Sequence, residues 1–248
     1  MKLWVLGAMA AAMVGCAPEA EPAAGSFGDD AVAAGGKYGS KAVVKVGLLV
    51  RLEAKEGSEA AVEALLKKGP SIVANEAGTK FWFGLRLGPR TFGIFDAFPN
   101  DDGRDAHLAG ELAEKLFAVA PDVLAAPPTI EVVDVLAQKD TFRAGYGRKI
   151  TVGLAVRLEA KAETAATVER ALTDGVDLVN KEKRTPLWFA IKLGPTTFGI
   201  VDAFENDDDR QTHVASPFAQ GLLAAAPQLL ATPPTIEEAD VLGLKDPR

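Results

Sequence analysis

The sequence predicts an α+β fold in which one domain of about 100 residues occurs twice. The phrase TFGIFDAFPNDDGRDAH occupies Thr91 to His107, and TFGIVDAFENDDDRQTH occupies Thr197 to His213. Residues 106 positions apart also match without a gap from Gly47 onward, and roughly half of these pairs are identical. A repeat of this length is far longer than the period of a solenoid, so it predicts duplication of a whole domain.

Each copy begins with a strand and a helix. In the first copy, large apolar side chains stand at every second position from Val46 to Leu52, which predicts a strand over Val43 to Glu53 with one strongly apolar face. Apolar residues then recur at helical spacing from Ser58 to about Glu76. Pro70 should kink this helix, whereas Val176, its counterpart in the second copy, should not.

A hairpin, a second helix and a last strand complete the copy. The alternating segments KFWFGLRLG and TFGIFDAF are joined by the turn residues Gly88 and Pro89, which predicts a hairpin. Asn100 or Asp101 is then the expected cap of a single long helix, and TIEVVDVLA is the last strand. The expected buried stripe of that helix consists of Ala106, Ala109, Ala113, Leu116 and Ala120.

The resulting order, strand, helix, strand, strand, helix, strand, is that of the ferredoxin-like split motif. Such a unit packs both helices on one face of its sheet and leaves the other face open. Two units can close their open faces on each other. The predicted fold is therefore α+β, with two tandem ferredoxin-like βαββαβ repeats forming a pseudo-dimeric α+β barrel. A pseudo-dimer within one chain can exist as a monomer.

The N-terminal segment has the features of an export signal. Residues 1–16 carry a basic Lys2, an apolar run too short to span a bilayer, and small residues before Cys16, so they predict a signal peptide. The segment resembles a bacterial lipoprotein signal, which implies cleavage before Cys16 and lipidation of that cysteine. The alternative is an ordinary signal peptide in which Cys16 is incidental. Residues 17–42, rich in Ala, Gly, Pro and acidic residues, are predicted to be a disordered tether.

The remaining domain boundaries follow from the repeat. Copy 1 is predicted over residues 43–140, a linker over 141–148, and copy 2 over 149–248. The lipidated Cys16 would attach the chain to a membrane of the bacterial cell envelope. In Gram-negative organisms, an aspartate directly after the lipidated cysteine retains a lipoprotein in the inner membrane, and here that position is Ala17. In such an organism we therefore expect the protein to be anchored in the outer membrane, facing the periplasm.

Composition excludes several classes of function. The net charge of -7 is spread along the chain without a basic stripe, so nucleic acid is not an expected partner. A single cysteine permits no internal disulfide and no cysteine metal cluster, and no phosphate-binding loop or nucleophile motif is present in the sequence. The sequence therefore predicts no metal site.

The segment WFGLRLGPRTFGIFDAFPNDDGRDAHLAGELAEKL resembles the antibiotic biosynthesis monooxygenase family of the dimeric α+β barrel superfamily, which includes quinol monooxygenase-like proteins. HVASPF, at His213 to Phe218, is similar to the family's second-helix motif. The resemblance implies a small aromatic molecule and dioxygen as partners and no cofactor, because the active members oxidise phenols, quinols or anthrones without metal or flavin. The first strand lacks the asparagine and the second helices lack the tryptophan of haem-degrading relatives, which disfavours haem degradation.

His107 and His213 are the candidate catalytic bases, since an imidazole titrates near neutral pH. They are the chain's only histidines, and the alternative is that each lies at a solvated helix edge. Asp96 and Asp202 interrupt apolar strand faces, where an acid needs a partner or changes its pKa. They are candidate catalytic carboxylates, or else half of structural ion pairs.

The candidate substrate pocket consists of four further residues: Trp82, Trp188, Arg51 and Arg157. The tryptophans are expected to face the barrel interior, as a flat wall for an aromatic ligand or as simple filling of the core. The arginines of the first strands are the expected partners of Asp96 and Asp202.

Two functions of different class are compatible with these patterns. The first is a cofactor-independent monooxygenase for small aromatic or quinol-type molecules at the cell envelope. The second is a non-catalytic, lipid-anchored barrel that binds a ligand or serves as a structural module. Phe218 and Leu112 favour the second, because they stand where family members often carry another histidine.

Overall fold

The computed structural model describes residues 43–141 and 150–245. We call these two ranges the first half and the second half. Within these ranges, eight strands form one closed barrel, and there are six α-helices and two short 3-10 turns. The strands are β1 (Val46–Glu53), β2 (Phe81–Arg86), β3 (Thr91–Phe98), β4 (Thr129–Asp140), β5 (Val152–Glu159), β6 (Leu187–Lys192), β7 (Thr197–Phe204) and β8 (Thr235–Lys245). The helices are α1 (Glu59–Ile72), α2 (Asp101–Leu108), α3 (Glu111–Val123), α4 (Ala165–Val179), α5 (Asp207–Val214) and α6 (Pro217–Leu229).

The predicted α+β barrel is confirmed. Its strand order around the barrel is β1-β3-β2-β8-β5-β7-β6-β4, and all pairs are antiparallel. The last strand of each half is long and is shared between the halves. β4 pairs with β1 through its first residues and with β6 of the second half through the rest, and β8 pairs with β5 and then with β2. Each half therefore closes the sheet of the other.

The barrel interior is an aromatic and aliphatic cluster drawn from both halves. Phe83 lies 5.8 Å from Phe95 and 5.9 Å from Phe189, measured between ring centroids, and Phe81 meets Phe189 edge-on at 4.9 Å. All four rings are buried. Since the open face of a ferredoxin-like sheet is apolar, burying it against the equivalent face of the other half stabilises the pairing.

The tryptophans lie on the opposite face of the sheet, so their expected orientation is wrong. Trp82 belongs to the core beneath α1, with Leu66, and Trp188 belongs to the equivalent core beneath α4. β2 is buried on both faces, as is β6, so alternation cannot decide which face turns inward. In the first half, Gly69 of α1 leaves room for the indole of Trp82 between strand and helix.

The predicted single long helix is wrong in one respect. α2 ends at Leu108 and α3 begins at Glu111, with Gly110 as the N-cap of α3. The break resets the helical phase, so Ala106 and Ala109 are exposed while His107 is buried. The predicted stripe is correct for α3, where Ala113, Leu116 and Ala120 are buried. The first helix of this half, α1, continues through Pro70 to Ile72 and is followed by a 3-10 turn at Val73–Asn75.

Several predictions concern residues outside the described ranges. The signal peptide (1–16), including Cys16, and the tether (17–42) fall there, as does the linker beyond Thr141. Within the two described halves, no helix is long and apolar enough to cross a membrane.

Glycine at the strand-helix contact gives a stability prediction. A β-carbon at Gly69 would meet the indole of Trp82, and one at Gly175 would meet the ring of Phe218, whereas one at the exposed Gly221 of α6 meets nothing within 4 Å. We expect Gly69→Ala and Gly175→Ala each to lower the free energy of unfolding by about 1–3 kcal/mol through overpacking. Gly221→Ala is the matched control and should raise it by about 0.5–1 kcal/mol through helix propensity. Denaturant unfolding measures all three, and equal effects would contradict the packing.

Candidate functional site

The two histidines are buried, which rules out the solvated alternative. His107 is 6% exposed and His213 is 4% exposed. Each lies in the last turn of a short helix, α2 or α5, whose N-cap asparagine accepts a hydrogen bond from a backbone N–H three residues on. The sheet side of each imidazole is covered by a phenylalanine, Phe98 or Phe204, at 5.5 Å between ring centroids.

Each histidine is held between two carboxylates. In the first half, Nδ1 of His107 lies 2.6 Å from Oε2 of Glu76, and Nε2 lies 3.2 Å from Oδ2 of Asp96. In the second half, His213 makes the same contacts at 2.6 Å with Glu182 and 3.2 Å with Asp202. We call each set the Glu–His–Asp cluster of its half.

A buried threonine supports each cluster. The hydroxyl of Thr79 donates a 2.6 Å hydrogen bond to Glu76, and that of Thr185 donates an equal bond to Glu182. The glutamates and threonines were not singled out from the sequence. The signal that could have found them is the repeat itself, because both residue types recur at equivalent positions while most of their neighbours differ.

The predicted pairing of Asp96 and Asp202 with arginines is wrong. Asp96 lies opposite Leu48 in the β1–β3 register, so it faces the helices, while Arg51 lies opposite Gly93 on the inward face. Arg51 instead binds Glu237 of the second half through two bonds of 2.9 and 3.0 Å. Arg157 binds Glu131 of the first half through Nη1 alone, which donates to both carboxylate oxygens at 3.1 and 3.0 Å.

The clusters shift the pKa values of their members. Burial alone would lower the pKa of His213, but hydrogen bonds to Asp202 and Glu182 outweigh it and raise the pKa to about 9. The same contacts with Asp96 and Glu76 raise the pKa of His107 to about 10. Both imidazoles are therefore protonated at neutral pH.

The four carboxylates divide into two kinds. Burial raises the pKa of Asp96 and of Asp202, and the neighbouring imidazolium only partly offsets it. Glu76 and Glu182 also lose solvent, but hydrogen bonds from histidine and threonine outweigh that loss and lower the pKa of each. Burial thus increases the proton affinity of each aspartate, whereas the hydrogen bonds decrease that of each glutamate.

A lysine from the opposite half reaches each cluster. Lys139, on β4 of the first half, donates to the carbonyl oxygens of Val179 at 2.6 Å and Glu182 at 2.5 Å in the second half. Lys245, on β8, donates to the carbonyl oxygens of Val73 at 2.6 Å and Glu76 at 2.7 Å. Because the shared strands carry these lysines, the exchange that closes the barrel also positions the glutamate of each cluster.

A small apolar pocket adjoins the cluster of the second half. It has a volume of about 60 Å³ and lies between β5, β7, α5 and α6. Asp202 and His213 form its polar side, and Phe218, Leu222 and Leu230 belong to its apolar walls. Oδ1 of Asp202 accepts a 3.1 Å bond from the N–H of Leu154, but Oδ2, although 3.2 Å from His213 Nε2, has no well-aligned hydrogen bond.

Among the described residues, no group of three or more His, Cys, Asp or Glu side chains could hold a metal ion. Neither tryptophan lines the second-half pocket, although Trp188 packs edge-on against Phe218, which does, at 5.4 Å between ring centroids. In the strand registers Trp82 lies opposite Asp96 and Trp188 lies opposite Asp202, so each indole is on the same face of the sheet as the cluster of its half. Arg51 and Arg157 lie on the other face of the sheet.

The raised histidine pKa values predict a pH dependence of stability. His213 has a higher pKa in the folded chain than in the unfolded one, so its stabilisation is fully present below about pH 6.5 and is lost as the pH rises through about 9. Each pKa unit corresponds to about 1.4 kcal/mol, so the loss for His213 is roughly 3 kcal/mol. Denaturant unfolding at pH 6 and pH 10 measures it. His107→Gln with His213→Gln should flatten the profile, and an unchanged slope would contradict the assignment.

Comparison with known proteins places the fold. No protein-family model matches the chain, and no curated protein matches it. A Fusobacterium nucleatum protein provisionally named a monooxygenase is 14% identical and covers 82% of this chain and 94% of its own, with a TM-score of 0.72. An anthrone oxidase-like protein is 11% identical and covers 82% and 93%, with a TM-score of 0.57. A Nitrosomonas europaea protein of unknown function is 41% identical over 41% of this chain and 99% of its own, with a TM-score of 0.40. The chain thus has the α+β barrel fold of monooxygenase-like proteins.

Proposed function

We propose that the chain is a cofactor-independent monooxygenase for a small aromatic or quinol-type molecule, and that its reaction site is the second-half pocket. The observation that carries the proposal is Asp202. This carboxylate is 2% exposed, and one of its oxygens lacks a hydrogen bond where the side chain borders an apolar pocket. The ion-pair partner of this oxygen, Oδ2, is the imidazolium of His213 at 3.2 Å, in a poorly aligned contact, so an O–H or acidic C–H of a bound substrate would give it a well-aligned hydrogen bond.

The pKa values assign the roles within the cluster. His213 is protonated at neutral pH, so it does not act as the base that accepts the substrate proton. Asp202 is the better base, because burial raises the pKa of its carboxyl and so increases its affinity for the substrate proton. The imidazolium, 3.2 Å from Asp202, then stabilises the negative charge that develops on the substrate or on oxygen.

The chemistry needs only dioxygen as co-reactant. With an anthrone-type substrate, Asp202 removes one proton from the activated CH₂ group, and the resulting anion gives one electron to dioxygen. The carbon radical and superoxide combine to form a carbon–oxygen bond. The resulting peroxide then breaks its O–O bond and loses the second hydrogen of the carbon, which leaves a ketone and one molecule of water. Both hydrogens leave in that water, so no external reductant is required.

The size of the pocket sets a requirement on this proposal. A volume of about 60 Å³ is well below the roughly 150 Å³ of an apolar cavity that accepts benzene. A ring can enter only if side chains of α6 move, and Leu223 on that helix is already partly exposed. Leu222→Ala, which removes part of the same wall, should therefore lower the KM of any ring substrate.

Oxygen uptake tests the proposal. The full-length chain is incubated with anthrones, naphthols and quinols, and uptake is compared with autoxidation in the absence of protein. We expect Asp202→Asn to lower kcat by about 10²-fold or more, because general-base catalysis typically contributes that much. Asp96→Asn, the same substitution in the first half, is the matched control and should retain most activity. No uptake above autoxidation, or full activity of Asp202→Asn, would refute the proposal.

A non-catalytic, ligand-binding or structural barrel is the second candidate. Two observations favour it. His213 forms ion pairs with Glu182 and Asp202, which is an arrangement that stabilises a fold without catalysis, and the pocket beside them is small. Two charges of opposite sign buried together can tie helix α5 to the sheet without chemistry. In that case Asp202→Asn would change stability and no oxygen would be consumed.

We further infer that the chain is a tandem duplication of one ferredoxin-like unit, a single-chain counterpart of a homodimer, attached to a membrane of the cell envelope by a lipid on Cys16. The second half repeats the element order of the first, which supports the duplication. The apolar run before Cys16 supports the anchor.

Membrane fractionation tests the anchor. The unmodified chain should sediment with the membranes and incorporate labelled palmitate, because lipid chains anchored on one cysteine bind a bilayer strongly. Cys16→Ser should abolish the label and release the barrel into the soluble fraction. If Cys16→Ser and the parent chain distribute equally, the lipid anchor is wrong.

A further inference from the structure

A second and larger cavity lies between the two halves, on the inward side of the sheet. Its volume is about 330 Å³, within the usual range for small-molecule sites. Its wall includes apolar residues of both halves: Leu49, Leu85, Leu87, Ala155, Leu193 and Val201. None of His107, His213, Asp96 and Asp202 lines it, although Val156 and Ile200 line both this cavity and the pocket beside His213.

The cavity is associated with smaller side chains in the second half. Leu49 and Phe95 face each other across β1 and β3, and the equivalent pair across β5 and β7 is Ala155 and Val201. Both members of the second pair are smaller, and both line the cavity. In the first half, Phe95 instead packs against Phe189 at 5.1 Å between ring centroids. The second half thus leaves unfilled the volume that the first half fills.

Ion pairs between the halves lie at the mouth of the cavity. Arg51 with Glu237, and Arg157 with Glu131, line the cavity, and all four side chains are between 29% and 45% exposed. Arg51 also binds Glu53, and Arg157 also binds Glu159. Each group therefore has one positive and two negative charges. Both guanidinium groups are already occupied by carboxylates, so an anionic ligand would meet net negative charge.

We propose that this cavity binds a neutral, mainly apolar ring compound that carries an N–H or O–H group. The rings contact the leucines, Ala155 and Val201. The donor reaches a carboxylate oxygen of Glu131 or Glu237 that is not already saturated by arginine, since each carboxylate can accept several hydrogen bonds. This site does not depend on the proposed oxygenase activity, and it is equally compatible with a ligand-binding barrel.

Two fluorescent probes that differ by one charge test the proposal. N-phenyl-1-naphthylamine is a neutral ring compound with one N–H group, and 1-anilinonaphthalene-8-sulfonate has the same rings and a sulfonate. Both are titrated into the full-length chain carrying Cys16→Ser, so that no lipid binds the dye. We expect saturable binding of the neutral probe and at least about tenfold weaker binding of the sulfonate, the result of about 1.4 kcal/mol of discrimination.

Matched substitutions locate the bound probe. Ala155→Leu places in the second half the side chain that the first half carries as Leu49, so it should fill the cavity and weaken binding by about tenfold or more. Ala219→Leu, the same change in the pocket beside His213, should leave binding unchanged. Thermal melting verifies folding, and Val201→Leu replaces Ala155→Leu if the latter does not fold.

Three outcomes would overturn the proposal. They are absence of saturable binding of the neutral probe, equal affinity for the sulfonate, and loss of binding through Ala219→Leu while Ala155→Leu binds normally. The last outcome would assign the probe to the pocket beside His213 instead. Since oxygen uptake is not part of this experiment, its result is independent of the Asp202→Asn test.

Discussion

The exchange of the last strands between the two halves is the constraint on which the rest of the structure depends. A ferredoxin-like sheet covered by helices on one face leaves an apolar face that must be removed from water. Here that face is buried against its equivalent, with Phe81, Phe83, Phe95 and Phe189 at the centre. β4 and β8 each pair with strands of both halves, so the halves cannot separate without breaking backbone hydrogen bonds in both sheets.

The same exchange determines the surroundings of the two clusters. Lys139 and Lys245 sit on the crossing strands and donate to carbonyl oxygens at the chain segments that hold Glu182 and Glu76. Each imidazolium is thus stabilised by carboxylates of its own half, one of which is positioned by a lysine of the other. Charges this deeply buried are stable only when paired and hydrogen-bonded, which is why the histidines remain protonated while the aspartates have an increased affinity for protons.

The two halves use one sequence pattern to make different cores. A β-carbon at Gly84 would lie 2.7 Å from the indole of Trp82, and the second half has Ala190 at that position. Trp188 therefore cannot adopt the same placement. Phe218 packs beside Gly175 instead and forms a wall of the pocket next to His213. On the other face of the sheet, Ala155 and Val201 leave the cavity between the halves. Small changes in side-chain volume thus accompany both spaces that a ligand could occupy, the pocket beside His213 and the cavity between the halves. A close-packed interior cannot lose side-chain volume without leaving voids.

The sequence by itself determined the order of the elements and their approximate limits, because strand and helix periodicity is a local pattern. It also predicted the barrel, because residues 106 positions apart match and two similar sheets can close on each other. The sequence also singled out His107, His213, Asp96 and Asp202 as candidate site residues. Only the tertiary structure decided which partners these residues meet. The apolar strand β2 could have turned either face inward, and a break of two residues before Glu111 was enough to bury His107. Long-range contacts such as Arg51 with Glu237 arise from strand exchange between the halves, and no local periodicity encodes which strands will pair.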